Sequence, residues 1–305
     1  MKKLVFIALG FFVMSAFTNT AAEKKELSKL TNSLQVAQQE NANLDVKLFS
    51  AIDSGISEEV YNLLKRGANP DARMDWGNEK NIPAIFFAIS RKNPAIIDML
   101  LMVSRNEEGQ GKGADCAIEY QGETPLSYAI LHSVSGTRDS GTRDSGTRNV
   151  GEPLIVKYLI RDGKNTDIYK VYNNGYSGTN GTILTEAVNR NIYGYTFSFL
   201  LVKGGKKLAD ISQPRTGNTP LMLAINSGNI MFVQTLLRYN VNLTLKNNEG
   251  KTALVLAKEK LSHSKEMYEM YQKQYVKGSS IIAKWKNEVD DSKKIVDLLV
   301  QAGAK

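Results

Sequence analysis

The chain has little of what catalytic and metal sites are made from: its 305 residues include one cysteine and two histidines. A single cysteine, Cys116, excludes an internal disulfide and a cysteine-based zinc site. Set near Ala114 and Ala117, it reads as a small buried hydrophobe rather than a nucleophile. His132 and His263 are far apart, and neither has a carboxylate and a nucleophile at a familiar spacing. GYSGT at 175–179 is the nearest approach to a nucleophile elbow, but it has Thr where the second Gly belongs. GQGKG at 109–113 lacks the spacing and the Ser or Thr of a phosphate loop, and no calcium-loop pattern of alternating acids occurs. The residues therefore point to a protein that is not an enzyme and holds no metal or cofactor.

Charge of one sign is scarce too. Thirty-nine basic residues face 31 acidic ones, a formal charge of +8, and the two signs alternate in stretches such as EKKE and KEKLSHSKE. That pattern describes a solvated surface and argues against a nucleic-acid groove.

Long apolar runs are limited to one, Leu4 to Phe17, in MKKLVFIALGFFVMSAFTNTAA. The basic start, an apolar stretch short for a membrane span, and the small residues Thr20-Ala21-Ala22 predict a signal peptide over 1–22. Cleavage after Ala22 removes Lys2 and Lys3 and lowers the formal charge from +8 to +6. No cysteine stands near that point to carry a lipid, so the expectation is an exported chain without a stable span, periplasmic first and secreted second.

What the sequence does contain is a period near 33. GNTPLMLAINSG at 217–228 is followed by GKTALVLAK at 250–258, with Thr219 and Thr252, Leu221 and Leu254, and Ala224 and Ala257 each 33 apart. GETPLSYAI at 122–130 has the same frame. A second motif, a leucine-rich run closing on Gly or Asn, alternates with the first: LLKRGANPDA (63–72), LIRDGKNTD (159–167), LLVKGGKKLAD (200–210), LLRYNVNL (236–243) and LVQAGAK (299–305). Within 217–239, a turn at Gly217 leads to a capping Thr219 and to Pro220 at the first helical position, where a missing N–H costs nothing. Gly228 ends that helix, and a second, from about Met231 to Tyr239, carries Phe232, Val233, Leu236 and Leu237. One such unit has no closed core, so units must stack.

These two motif halves resemble the ankyrin repeat, whose TPLHxA signature is matched by TPLMLA at Thr219–Ala224 and TPLSYA at Thr124–Ala129, with His absent from the fourth position. The resemblance implies an all-α solenoid of helix-turn-helix units. Anchor alanines Ala51, Ala88, Ala129, Ala187, Ala224 and Ala257 predict about six of them, over 44–73, 74–118, 119–172, 173–213, 214–246 and 247–305. Residues 23–43, with Leu27, Leu30, Leu34 and Ala37 at helical spacing, are expected to form a helix covering the end of the stack, or a linker.

Anchor spacings of 37, 41, 58, 37 and 33 require insertions in all but the last interval. One is SGTRDSGTRDSGTRN at 135–149, a pentapeptide array expected at a helix-to-helix turn, away from any binding face and neutral in copy number. Another follows the last anchor, where Lys258–Ile295 predicts a projecting helical hairpin packed through Met267, Met270, Tyr271, Ile281, Ile282 and Trp285.

Ankyrin domains bind partners along a concave face, through loop tips and the exposed side of the inner helices. Carried over by position, the tips are Trp76, Asn78, Tyr120, Glu123, Arg215, Asn218, Asn248, Glu249 and Lys251. The inner-helix positions are Arg91, His132, Asn189, Arg190, Asn226 and Ser227. Trp76 is either an exposed anchor, whose loss would weaken a partner and spare the melting point, or a ring folded back over the insertion at 79–82. The function this implies is a monomeric protein–protein interaction scaffold in the cell envelope. Two alternatives are a secreted effector, and a carbohydrate or small-molecule binder or enzyme using TDIYKVYNNGYSGTNGT at 166–182.

Overall fold

The computed structural model describes residues 21–102, 113–133, 151–162, 166–174, 179–192, 194–276 and 278–305. The signal-peptide stretch before Ala21, the pentapeptide array, most of GQGKG and most of GYSGT lie outside the described residues. Twelve helices occur among those described, in six consecutive pairs. They are α1 (Ala21–Ser54) with α2 (Ser57–Lys65), α3 (Ala84–Ser90) with α4 (Pro94–Met102), and α5 (Pro125–Ser133) with α6 (Gly151–Asp162). Then come α7 (Ile183–Asn189) with α8 (Tyr195–Ala209), α9 (Pro220–Asn226) with α10 (Ile230–Leu237), and α11 (Ala253–Gln274) with α12 (Ser280–Gln301). Two antiparallel hairpins complete the set, β1 (Arg73–Trp76) with β2 (Glu79–Pro83) and β3 (Tyr172–Asn174) with β4 (Thr179–Gly181).

Stacking is the organising contact. The first helices touch in the order α1, α3, α5, α7, α9, α11, and the second helices form a parallel layer from α2 through α4 and α6 to α8. Phe197 of α8 meets Phe232 of α10 edge to face at 4.6 Å, and α10 packs on α12. The anchor alanines Ala51, Ala88, Ala129, Ala187, Ala224 and Ala257 are all buried, as close approach of neighbouring first helices requires. One continuous apolar cluster runs from Leu48 to Leu299.

Local chemistry sets the helix starts. Thr182, Thr219 and Thr252 each accept the backbone N–H three residues on, at 3.3, 3.3 and 3.4 Å. Two of the second helices, α4 and α10, use asparagine: Asn93 accepts from Ala95 and Ile96, and Asn229 from Met231 and Phe232. At the closing motif Gly67 and Gly303 take φ of 103° and 91°, and the unit that lacks glycine places Asn240 there at 50°.

Two expectations are revised. The leading helix is continuous with the first helix of the stack, and no described side chain before Leu48 is buried, so it extends from the stack instead of covering its end. The terminal hairpin forms, with Tyr271 stacked on Trp285 at 5.9 Å, but Met270 is exposed and lies off that packing seam.

Candidate protein-binding surface

Each unit after the first opens with a finger, and the fingers are tied to one another. Tyr120 and Glu123 exchange backbone hydrogen bonds of 3.0 and 3.1 Å around Gln121 and Gly122, both at positive φ. Trp76 pairs with Glu79 around Gly77 and Asn78 in the same way. The Tyr120 hydroxyl donates to Glu79 Oε2 of the preceding finger at 2.5 Å, and Lys170 pairs with Glu119 on the next connection. Farther along, the Arg215 N–H donates to Asn180 Oδ1, and Asn248 donates its backbone N–H to Thr216 O and its side-chain amide to Arg215 O. Asn247 Nδ2 donates to Asn218 Oδ1 at 3.0 Å. Gly217, at φ 70°, leaves room for this: a Cβ there would lie 2.4 Å from Asn248 Oδ1.

This register corrects four of the tip assignments. Tyr120 and Glu123 are the paired residues flanking the turn, and both are buried; the tip itself is Gln121 and Gly122. Asn218 is buried for the same reason, its carbonyl accepting from the Gln213 N–H. Trp76, one position before its turn, is half-buried and stacks on Phe49 at 6.1 Å and against Phe87 at 5.7 Å. It therefore folds onto the core and is not a free anchor. Asn78, Arg215, Asn248 and Glu249 are exposed, while Lys251 is half-buried between Glu249 and Glu259.

The positions predicted on the first helices all occur at helix C-terminal ends. His132 lies in the last turn of α5, Asn189 and Asn226 end α7 and α9, and Arg91, Arg190 and Ser227 follow directly; all six are exposed. The structure thus sorts the candidates into two rows at opposite ends of the first helices, about 10 Å apart along a seven-residue helix. Between the rows α3 and α7 are buried almost throughout, and half-buried Tyr128 and Leu223 are among the side chains still reached from solvent.

Carboxylates from the same or a neighbouring element hold the basic side chains of the second row. Arg91 pairs with Asp53 at 2.7 Å and lies 4.5 Å over the Phe87 ring. His132 Nε2 sits 2.9 Å from Glu123 Oε2 and the imidazole stacks on Tyr128. Arg190 approaches the buried Glu186 at 3.6 Å, and Glu186 also accepts the Asn180 N–H. Tyr128 to His132 and Glu186 to Arg190 are i, i+4 pairs, a spacing visible in the sequence. The Asp53–Arg91 and Tyr120–Glu79 contacts span insertions of irregular length and carry no such signal.

Burial, followed by the nearby Glu79 and Glu123 carboxylates, raises the Tyr128 phenol above its ordinary pKa; burial and the Glu79 hydrogen bond do the same for Tyr120. Both remain neutral donors at physiological pH. The hydrogen bond to Glu259, and then that to Glu249, holds Lys251 above the usual lysine range. Burial pushes the Cys116 thiol up to about 12. Among the described residues no three His, Cys, Asp or Glu side chains are grouped to hold a metal ion, and no helix is long and apolar enough to cross a membrane. Such a surface offers fixed hydrogen-bond donors and acceptors over a partly apolar floor, which is chemistry for recognition.

A family model described as ankyrin repeats in three copies matches residues 147–247 and 184–270. The chain is similar in structure to the ankyrin repeat domain of Bcl-3, a member of the IkappaB protein family, with a TM-score of 0.55 at 18% identity over 85% of this chain and 86% of that one. An ankyrin repeat domain from Acinetobacter baumannii AYE aligns with a TM-score of 0.52 at 19% identity, over 85% of this chain and 98% of the other. No curated protein sequence matches the chain. Paired helices stacked behind linked fingers, the Thr-capped TPL starts and both comparisons agree: the chain has the ankyrin-repeat fold, and its residues 147–270 match the ankyrin-repeat model.

Proposed function

We propose that the chain is an exported, non-enzymatic scaffold of the cell envelope that holds another protein against the concave face of its repeat stack. Ankyrin repeat domains generally mediate protein–protein interaction, and the finer assignment rests on one observation. Exposed polar side chains line both ends of the first helices, with Arg215, Asn248 and Glu249 at the fingers and Arg91, Arg190 and Asn226 at the opposite ends. Bonds to the preceding unit fix the Asn248 and Arg91 side chains and the Arg215 backbone before any partner arrives, which lowers the ordering cost of binding. The export signal read from MKKLVFIALGFFVMSAFTNTAA supports the envelope as the place of action.

The test is capture from envelope extract by the wild-type chain and by Arg215→Glu and Asn226→Arg, one change in each row. A saturable protein partner should be retained by the wild type and weakened at least about tenfold by each variant, with melting unchanged. Absence of a saturable partner, or equal capture by all three chains, would overturn the reading. Fractionation into periplasm, membrane and medium tests the location separately.

A further inference from the structure

Between Glu269 and Glu288 the chain has no Asp or Glu, and its lysines give that interval charge of one sign. That interval is the far end of the α11–α12 hairpin. Each of its helices has 22 residues, whereas the first helices α3, α7 and α9 have seven, so α11 runs about 20 Å past the stack. The base of the hairpin is secured by Lys260, which donates to Asn226 O and pairs with Glu288, and by the buried Ser264–Ser292 contact. Stacked Tyr271 and Trp285 tie the distal helices together.

The groups are ordered along the hairpin axis. Tyr275 and Val276 lie in the turn between the two helices; Val276, 83% exposed, is the most exposed large apolar side chain among the described residues. Exposed Lys273, Lys284 and Lys286 lie behind them, about 5–9 Å back at helical rise. Acids begin one turn toward the stack, where Glu269 and Glu266 line the same surface pocket as Lys273, with Glu288 on the facing helix. An apolar end, then aromatic rings and lysines, then mixed charge is the order of chemistries met on entering an anionic bilayer, where peripheral elements bury apolar groups about 5–10 Å deep. Lysines near such a surface are attracted to acidic headgroups, and tyrosine and tryptophan favour the boundary. A second copy docking tip to tip would instead bring the same lysines together.

We infer that the tip of the α11–α12 hairpin docks this protein onto the surface of an anionic lipid bilayer. Tyr275 and Val276 enter the interface while Lys273, Lys284 and Lys286 contact headgroup phosphates. The repeat stack then stands off the membrane with its fingers free.

The experiment is co-sedimentation of the full chain with phosphatidylcholine vesicles, with and without phosphatidylglycerol at about a quarter of the lipid. Comparison chains carry Val276→Asp, or Lys273→Gln, Lys284→Gln and Lys286→Gln together. The apolar run at Leu4–Phe17 is common to every chain, so differences report the hairpin. The wild type should prefer anionic vesicles, lose that preference as salt is raised about fivefold, and bind them at least about tenfold more tightly than either comparison chain. Circular dichroism should give the same melting curve for all three. Equal binding by wild type and variants, or no anionic preference in the wild type, overturns the inference. So does a concentration-dependent dimer abolished by Val276→Asp, or capture of an acidic protein through the tip without vesicle binding.

Discussion

The indole of Trp76 stacks on the ring of Phe49 at 6.1 Å with an interplanar angle of 29°, and both rings reach Phe87. A tryptophan one residue from a finger tip thereby closes the core between the first two units. Its conversion to alanine should destabilise that end of the stack by about 2 kcal/mol, less than for a fully buried ring because Trp76 keeps some exposure. The expected outcome is a melting point lower by several degrees with affinity for a captured partner nearly unchanged, and Trp76→Phe recovering much of the loss. Unchanged melting with weakened binding would restore the exposed-anchor reading.

Gly217→Ala should be costly for two separable reasons. Its φ of 70° strains any side chain, and a new Cβ would meet Asn248 at Oδ1 and at the backbone nitrogen, 2.4 and 2.6 Å away. Gly250, at φ 74° with open space around it, carries only the first cost. Thermal melts should show Gly217→Ala losing well over 1 kcal/mol and Gly250→Ala about 1 kcal/mol. Hydrogen exchange at the Asn248 amide should accelerate in the former alone, because that amide donates to Thr216.

Thr219→Ala removes the oxygen that accepts the Met222 N–H and should cost about 1 kcal/mol. Thr219→Ser keeps the cap and should recover most of it. If serine melts with alanine, the methyl packing and not the cap is what matters at this buried position.

Burial holds the Cys116 thiol near 12, so its thiolate fraction at pH 8 is about 10⁻⁴. Ellman's reagent should modify it promptly in denaturant and negligibly in the native chain at that pH. The sign of the linkage follows: the unfolded thiol ionises first as pH rises through the ordinary thiol range, while the folded one keeps its proton. This contribution therefore lowers stability above that range and is absent below it. Cys116→Ala should flatten the alkaline end of the stability profile.

The frame of the fold was legible because its physical causes are local. Thr219 and Thr252 cap helices wherever a TPL-like start occurs, Asn229 caps the return helix, and six anchor alanines mark where first helices touch. The finger tips were legible only to within one residue. In IEYQGET the flanking Tyr120 and Glu123 and the turning Gln121 and Gly122 are all polar enough to occupy a tip, and hydrogen bonding alone assigns them. Trp76 posed the same ambiguity, decided by Phe49 on the preceding unit.

By itself the sequence determined the repeat, its caps, the places where insertions interrupt it, and the thinness of its chemical inventory. These follow from spacing and residue type. The tertiary structure decided which polar residues remain at the surface, which acid holds which base across an insertion, and how far the last hairpin extends its acid-free end. Those depend on contacts between units separated by stretches of unequal length, and no fixed spacing in the chain encodes them.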